Sequence, residues 1–240
     1  MRGLLTVAAR ELGGMFRLPV GWVVIALFSF VSAIMFNVFT LRPGEPADLR
    51  AFFEWSAIAL LVVAPAITMR LFSEELRAGT IESLMTAPVT DWALVLGKFF
   101  GAVGFLLAIF LPTASFVVIL ALLADRPLDP GPIGAGYLSL TLTGMAYLAL
   151  GTLVSALTAS QTLAFLGTFL ALIVLLLGPI LGAPTLPDPY AGWLLSISFT
   201  QRVEDFAKGV VDSAHILFFL SVSLWLLAMA YLALGSRRWR

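Results

Sequence analysis

Cysteine is absent from this sequence, and charged residues are scarce. Without cysteine the chain can form no disulfide bond, thiolate metal site or cysteine nucleophile, so thiol redox chemistry is excluded. Asp, Glu, Lys and Arg together make up only 12% of the 240 residues, and their formal net charge is zero. No excess of positive charge therefore points to a nucleic acid as a partner.

Apolar residues predominate: they make up 60% of the chain, and its mean hydropathy is +1.03. Soluble domains are about a quarter charged, so the lipid bilayer is the predicted solvent. A membrane span needs about 20 apolar residues, and six runs are of that order, approximately 20–41, 52–72, 99–124, 133–158, 161–182 and 214–235. We therefore predict an all-α polytopic membrane protein, with residues 1–240 forming one transmembrane domain and no soluble catalytic domain.

Lysine and arginine residues predict how the spans are oriented. If the N-terminus is cytoplasmic, nine of the fourteen basic residues fall on the inner side and five on the outer side, in agreement with the positive-inside rule. In a cell (inner) membrane, both termini and the 73–98 loop would then face the cytoplasm. The connections 42–51, 125–132 and 183–213 would face outward.

Residues 1–19 are predicted to form an elbow helix in the membrane interface, because apolar residues recur on one helical face and Arg10 and Arg17 lie on the other. Pro19 disfavours a helical conformation at Leu18, so this helix should end before the first span. A plain extension of that span is the alternative. The first apolar run is too long for the core of a secretory signal and lacks a small-residue cleavage site, so we expect it to be retained.

Small residues recur at the four-residue spacing that allows membrane helices to approach closely. The three pairs are Gly97 and Gly101, Gly151 and Ser155, and Gly178 and Gly182. Each pair is a candidate helix contact, although such spacings also arise by chance.

The inner loop, 73–98, is the only long, charged and turn-rich segment between apolar runs. Span two should continue past the membrane edge and stop at Gly79. Thr80 is a candidate N-cap for a short helix that ends before Pro88, and Asp91 is a candidate cap for the helix that follows. Lys98 is expected to lie among the lipid headgroups.

The short helix in this loop has one apolar face, formed by Ile81, Leu84 and Met85. Glu82 lies in its first turn, where the helix dipole favours negative charge. This arrangement predicts a peg that inserts into a partner protein. The alternative is a plain connecting loop that lies flat on the membrane.

The outer loop, 183–213, carries a second amphipathic pattern and predicts one or two helices that partly dip into the bilayer. Its helical stripe consists of Phe199, Val203, Phe206 and Val210. Such an element can act as a lid packed on the bundle or as a gate. The candidate residues for an extracytoplasmic gate or partner-docking site are Phe199, Phe206, Gly209 and Asp212.

The inner loop resembles that of the type-2 ABC transporter permeases. The residues that carry the likeness are Arg70, Phe72, Ser73, Glu74, Glu75, Arg77, Gly79, Thr80, Ile81, Glu82, Leu84, Met85, Pro88, Val89, Leu96, Gly97 and Lys98. The six-span layout agrees with that family. A second stretch, 198–212, is similar to the branch associated with gliding motility and nitrous-oxide-reductase maturation.

This resemblance implies a half-transporter. Two permease subunits, expected to be identical, would lie side by side, and each would grip a separate cytoplasmic ATPase subunit through the coupling helix in its inner loop. Thr80 to Pro88 would sit in the ATPase cleft. The implied ATPase-coupling residues are Glu74, Glu75, Arg77, Gly79, Thr80, Ile81, Glu82, Leu84, Met85 and Pro88.

The sequence does not contain a phosphate-binding loop, since Gly97 and Lys98 are followed by Phe99 instead of Ser or Thr. We therefore expect no catalytic residue, cofactor or metal on this chain, and ATP and Mg²⁺ would bind the partner ATPase. The lone His215 is expected to be a simple interfacial histidine.

Three functions remain open at this stage. The first is ATP-driven export of a substrate through a permease dimer. The second is a permease dimer driven by the same ATPase, which relays ATPase motion to an extracytoplasmic partner protein without bulk transport. The third, a membrane-embedded enzyme or ion-driven transporter, is disfavoured because the centres of the apolar runs lack Asp, Glu, Lys and Arg.

Overall fold

The computed structural model describes residues 2–41, 48–80, 90–124 and 127–236. Across these ranges the regular structure is helical throughout, which confirms the all-α prediction. The helices are α1 (Arg2–Arg17), α2 (Pro19–Met35), α3 (Arg50–Thr68), α4 (Ser73–Ala78), α5 (Asp91–Phe110), α6 (Ala114–Leu123), α7 (Pro130–Leu157), α8 (Gln161–Gly182), α9 (Tyr190–Ser196), α10 (Phe199–Ala207) and α11 (Ser213–Gly235). A π-helical turn, Phe36–Thr40, extends α2, and 3-10 turns occupy Leu111–Thr113 and Ala183–Thr185.

Six helical stretches in the described ranges are long and apolar enough to cross a membrane. They are Pro19–Thr40, Arg50–Ala78, Asp91–Leu123, Pro130–Leu157, Gln161–Thr185 and Ser213–Gly235, here called spans one to six. The predicted six-span architecture is confirmed. Spans two and three run furthest beyond their predicted bounds, because helical structure continues through polar turns that an apolar count omits.

Spans two and four form the inside of the bundle. In their apolar stretches 67% of the residues are buried, against 22–28% in the other four spans. Glycines of α7 make this packing possible: a Cβ on Gly136 would lie 2.2 Å from the Phe53 ring, and one on Gly151 would lie 2.0 Å from Thr68 Oγ1. The backbones of the two central spans therefore meet at distances that only glycine permits.

Helix α1 is separate from span one, as predicted. Leu18 is extended, with φ −93° and ψ 137°, and Pro19 begins α2. Helix α1 packs along α5, so it belongs to the end of the bundle where span two ends and span three begins. We call this the loop end, and we call the opposite end, which carries α9 and α10, the lid end.

At the lid end the predicted amphipathic stripe is only partly correct. Phe199, Val203 and Phe206 are buried, and α10 packs against α7 and α3. Val210, however, is 56% exposed, because α10 ends at Ala207 and Gly209 takes a φ of +85° that turns the chain away. The outer loop thus forms two short helices, one of which covers the bundle.

Candidate functional site

A buried lysine is the centre of the charged cluster at the loop end. Lys98 Nζ on α5 lies 2.9 Å from Glu75 Oε1 on α4 and 3.2 Å from Glu11 Oε2 on α1, and its side chain is only 2% exposed. Burying an unpaired charge costs several kcal/mol, so the lysine depends on these two carboxylates. The prediction that Lys98 reaches the lipid headgroups is therefore wrong.

Glycines on α5 bring the first carboxylate to this lysine. A Cβ on Gly97 would lie 2.7 Å from Val7 Cβ, and one on Gly101 would lie 2.8 Å from Glu11 Cβ. These contacts confirm the predicted role of the Gly97 and Gly101 pair and identify α1 as the helix they receive. The close approach of α1 places Glu11 within reach of Lys98.

Helix α4 brings the second carboxylate, because span two breaks between α3 and α4. At this break the backbone N–H groups of Phe72 and Ser73 donate to Ser155 Oγ on α7, at 3.1 and 3.2 Å. The Phe72 ring, which is fully buried, lies 5.2 Å from Lys98 Nζ, in range of a cation–π contact. The break is thus anchored to the central span, and Phe72 shields the lysine from solvent.

The end of α4 is set by local backbone chemistry. Gly79 adopts a φ of +68°, Gly79 N–H donates to Leu76 O, and Thr80 N–H donates to Glu75 O. This pair of bonds closes a helix with a left-handed residue, so the predicted stop at Gly79 is confirmed. Thr80 belongs to this cap, and the helix for which it was predicted as an N-cap would lie in residues 81–89, outside the described residues.

The other predicted coupling residues are distributed around this cluster. Glu74 receives two hydrogen bonds from the Arg70 guanidinium, at 2.9 and 3.0 Å. Arg77 is exposed in the last turn of α4, where a positive charge complements the helix dipole. The remaining predicted residues lie outside the described residues: Ile81, Glu82, Leu84, Met85 and Pro88.

The start of span three corrects one more prediction. Thr90, not Asp91, caps α5, because Thr90 Oγ1 accepts a hydrogen bond from Ala93 N at 3.3 Å. Asp91 is instead the first residue of the helix, where its charge still complements the dipole.

The sequence reasoning missed three residues of the cluster: Glu11, Arg10 and Ser155. Arg10 approaches Glu75 to 3.8 Å from the exposed side. A carboxylate beside Leu12, close to the apolar face of an interfacial helix, was a sign of a buried partner for Glu11. Ser155 was predicted only as part of a candidate helix contact with Gly151, and its role as a hydrogen-bond acceptor depends on the position of span two.

At the lid end, the predicted gate residues have structural positions. Phe199 and Phe206 are packed into the bundle, Gly209 makes the turn after α10, and Asp212 caps α11 by accepting a hydrogen bond from Ala214 N at 2.8 Å. Burial of the two phenylalanines agrees with a lid on the bundle. Whether any of the four acts in gating or docking stays a prediction.

His215 was predicted to be a simple interfacial histidine, and the structure gives it two side-chain partners that the sequence did not predict. Its Nδ1 lies 2.8 Å from an Arg202 nitrogen, and its Nε2 lies 3.2 Å from Asp205 Oδ2. The Arg202 guanidinium also lies 3.9 Å from the centre of the Phe218 ring, and burial lowers the pKa of Arg202. These contacts join α10 to the start of span six.

Comparison with known proteins gives one family and two curated relatives. A model of the family described as "ABC-2 family transporter protein" matches residues 5–237. The chain is also 24% identical, over 163 residues, to the "Probable multidrug ABC transporter permease YbhR" of Escherichia coli K12 and to that of E. coli O157:H7. Each match covers 66% of this chain and 42% of the relative, so the chain spans about two fifths of the curated relatives' length.

Proposed function

This chain belongs to the ABC-2 family of transporter proteins, and from that premise we propose that it is the membrane permease subunit of an ABC transporter. ATP hydrolysis takes place on a separate cytoplasmic ATPase subunit, which holds ATP and Mg²⁺, and drives export of a substrate. The single observation that carries the coupling part of this proposal is the contact between Glu75 and Lys98. This contact joins the two flanks of the 81–89 segment.

A loop transmits force to a bundle only if its two ends move with the bundle. Glu75 precedes the segment, Lys98 follows it, and the charged atoms of the two residues are 2.9 Å apart. Ser155 fixes the same flank to span four through two hydrogen bonds. A push on 81–89 is therefore delivered to spans two, three and four together, and to α1 through Glu11.

The resemblance to type-2 permeases supplies the remaining parts of the proposal. In it, Glu82, Leu84 and Met85 contact the ATPase, two copies of the chain form the transmembrane unit, and both termini and the 73–98 loop face the cytoplasm of the inner membrane. The 198–212 stretch supports membership of the gliding-motility and nitrous-oxide-reductase-maturation branch.

A relay of ATPase motion without bulk transport is the second candidate function. Helix α7 favours it, because this one helix contacts α4 at the loop end and α10 at the lid end. Motion at the loop end therefore has a direct path to the outer surface, where an extracytoplasmic protein could receive it.

Copurification with the cognate ATPase tests the coupling assignment. Glu82→Lys and Leu84→Asp should each abolish recovery of the ATPase with the permease, whereas Gln201→Lys, at an exposed position of α10, should leave it unchanged. Normal ATPase recovery with both loop variants would overturn the assignment. Proteoliposomes that contain only the permease and ATPase then separate the two functions: ATP-dependent solute accumulation indicates export, and ATP turnover that responds only to an outer protein indicates the relay.

A further inference from the structure

A cavity of about 130 Å³ lies at the loop end between α1, α2 and α3, and Glu74 of α4 and Phe105 of α5 complete its wall. It lies next to the buried lysine cluster, and both include Arg10 and Glu11 of α1. Its walls are charged on one side and apolar on the other. This contrast follows the expected direction of the membrane normal.

The charged side of the cavity is formed by Arg10, Glu11, Arg70 and Glu74. The apolar side includes Val24, one turn inside span one, and Ile67, which precedes Arg70 by one turn of span two. An occupant that satisfies both sides has a charged head and a hydrocarbon tail. A free inorganic anion would contact only the charged side.

The two charge signs on the cavity wall narrow the choice of head group. The Arg10 side chain is 58% exposed, and it lies 3.8 Å from Glu75 Oε1, too far for a direct hydrogen bond. The Glu74 side chain is half exposed while it pairs with Arg70. A phosphate can bind beside Arg10 and Arg70, and an ammonium group beside Glu74.

Gly14 keeps the cavity open. A Cβ built on this residue meets no atom within 4 Å, so helix packing does not require glycine here, although glycine costs about 1 kcal/mol relative to alanine inside a helix. Gly97 and Gly101 differ, because a Cβ on either would collide with α1. The missing side chain at Gly14 therefore provides space in the cavity.

Trp22 indicates that the cavity lies near the level of the lipid headgroups. Its ring is 59% exposed, and its indole N–H donates to Phe16 O at 3.0 Å, across the junction of α1 and α2. Tryptophan with an exposed ring and a satisfied N–H is typical of the membrane interface.

We propose that this cavity binds one phospholipid whose headgroup is zwitterionic and carries a primary ammonium group. The phosphate contacts Arg10 and Arg70, the ammonium contacts Glu74, and an acyl chain lies along Val24 and Ile67. The bound lipid joins α1 to spans one and two, next to the Gly101 contact with Glu11.

Native mass spectrometry of the full-length protein, released from nanodiscs that contain phosphatidylethanolamine and phosphatidylglycerol, tests this proposal. We expect one phosphatidylethanolamine to be retained by the wild-type chain. Gly14→Leu should lower that retention about tenfold by filling the cavity, and Gly14→Ala should lower it less. Gly13→Leu is the matched control, because Gly13 is also free of contacts within 4 Å but does not line the cavity.

Leucine and alanine favour helices more than glycine does, so the variants should fold, and circular dichroism checks that they do. Equal retention by wild type and Gly14→Leu would overturn the site. Preferential retention of phosphatidylglycerol would overturn the zwitterionic headgroup, and displacement of the lipid by inorganic phosphate alone would overturn the role of the acyl chain.

Discussion

The charged clusters at the two ends of the bundle differ in burial and in the distance along the chain between their members. At the loop end, Lys98 is 2% exposed and meets carboxylates from two other helices, one of them 87 residues away. At the lid end, Arg202, Asp205 and His215 lie within 13 residues, and the Asp205 side chain is 42% exposed. The loop-end cluster therefore connects helices that are distant in sequence, whereas the lid-end cluster connects two neighbouring helices.

The energetic consequences of this difference are large. Removing one partner of a buried ion pair leaves an uncompensated charge and costs about 3–5 kcal/mol, whereas exposed pairs contribute about 0–1 kcal/mol. Stability should thus depend on the loop end and hardly on the lid end. Substitutions at the two ends of the bundle test this contrast.

Loss of the Glu75 charge should have the largest effect. Glu75→Gln leaves Lys98 with Glu11 alone and should lower the free energy of unfolding by about 3 kcal/mol. Denaturant unfolding in detergent micelles measures this. The matched control is Glu74→Gln, which removes an exposed pair with Arg70. Equal losses in the two variants would contradict the stabilising role of the buried Glu75–Lys98 pair.

Crowding the contact between α1 and α5 should have the next largest effect on stability. A Cβ at Gly101 would lie 2.8 Å from Glu11 Cβ and 2.9 Å from Ala8 O, so Gly101→Leu should cost about 1–3 kcal/mol through overpacking and should release α1. Limited proteolysis of the N-terminal segment reports that release. Gly13→Leu serves as the control, and a protease-resistant α1 in Gly101→Leu would show that the glycine contact does not hold the helix.

Removal of the Ser155 hydroxyl should produce a loss similar in size to that of Gly101→Leu. Ser155→Ala deprives the buried N–H groups of Phe72 and Ser73 of their acceptor, at a cost of about 1–3 kcal/mol. The expected functional result is that the ATPase still binds but ATP turnover no longer drives export or relay. Ser221→Ala, at an exposed position of α11, is the control, and full coupling in Ser155→Ala would remove span four from the proposed path.

The lid-end cluster of Arg202, Asp205 and His215 should contribute least to the free energy of unfolding. Asp205→Asn and His215→Gln should each change the free energy of unfolding by less than about 1 kcal/mol, because the pair is partly exposed and local. The same denaturant titrations measure this. A loss as large as that of Glu75→Gln would show that the two ends are equivalent, which would remove the basis of the comparison.

Local features of this molecule were predictable because their causes lie within a few residues. The break at Leu18 follows from the ring of Pro19, and the stop of α4 at Gly79 follows from the left-handed conformation that glycine accepts without a penalty. The cap of α5 was harder to predict, because Thr90 and Asp91 both have suitable side chains. Thr90 is the cap, because its backbone is extended and α5 begins at Asp91.

The charged site was harder to predict than the fold. Lys98 follows the pattern of an interfacial anchor, and its burial depends on α1, whose Glu11 is 87 residues away. His215 similarly has no partner nearby in its own helix. In both residues the side chain is explained by a helix that the local sequence does not identify.

Composition and local sequence were enough to predict that the chain enters a membrane, how many times it crosses, and the helix ends near Leu18 and Gly79, because transfer of apolar residues from water and local backbone sterics depend on composition and near neighbours. The packing of distant helices sets the break of span two, which charges meet, which glycines are contacts and which leave a cavity. Those outcomes depend on how each helix is rotated and how closely it approaches the next, and long-range packing alone sets these.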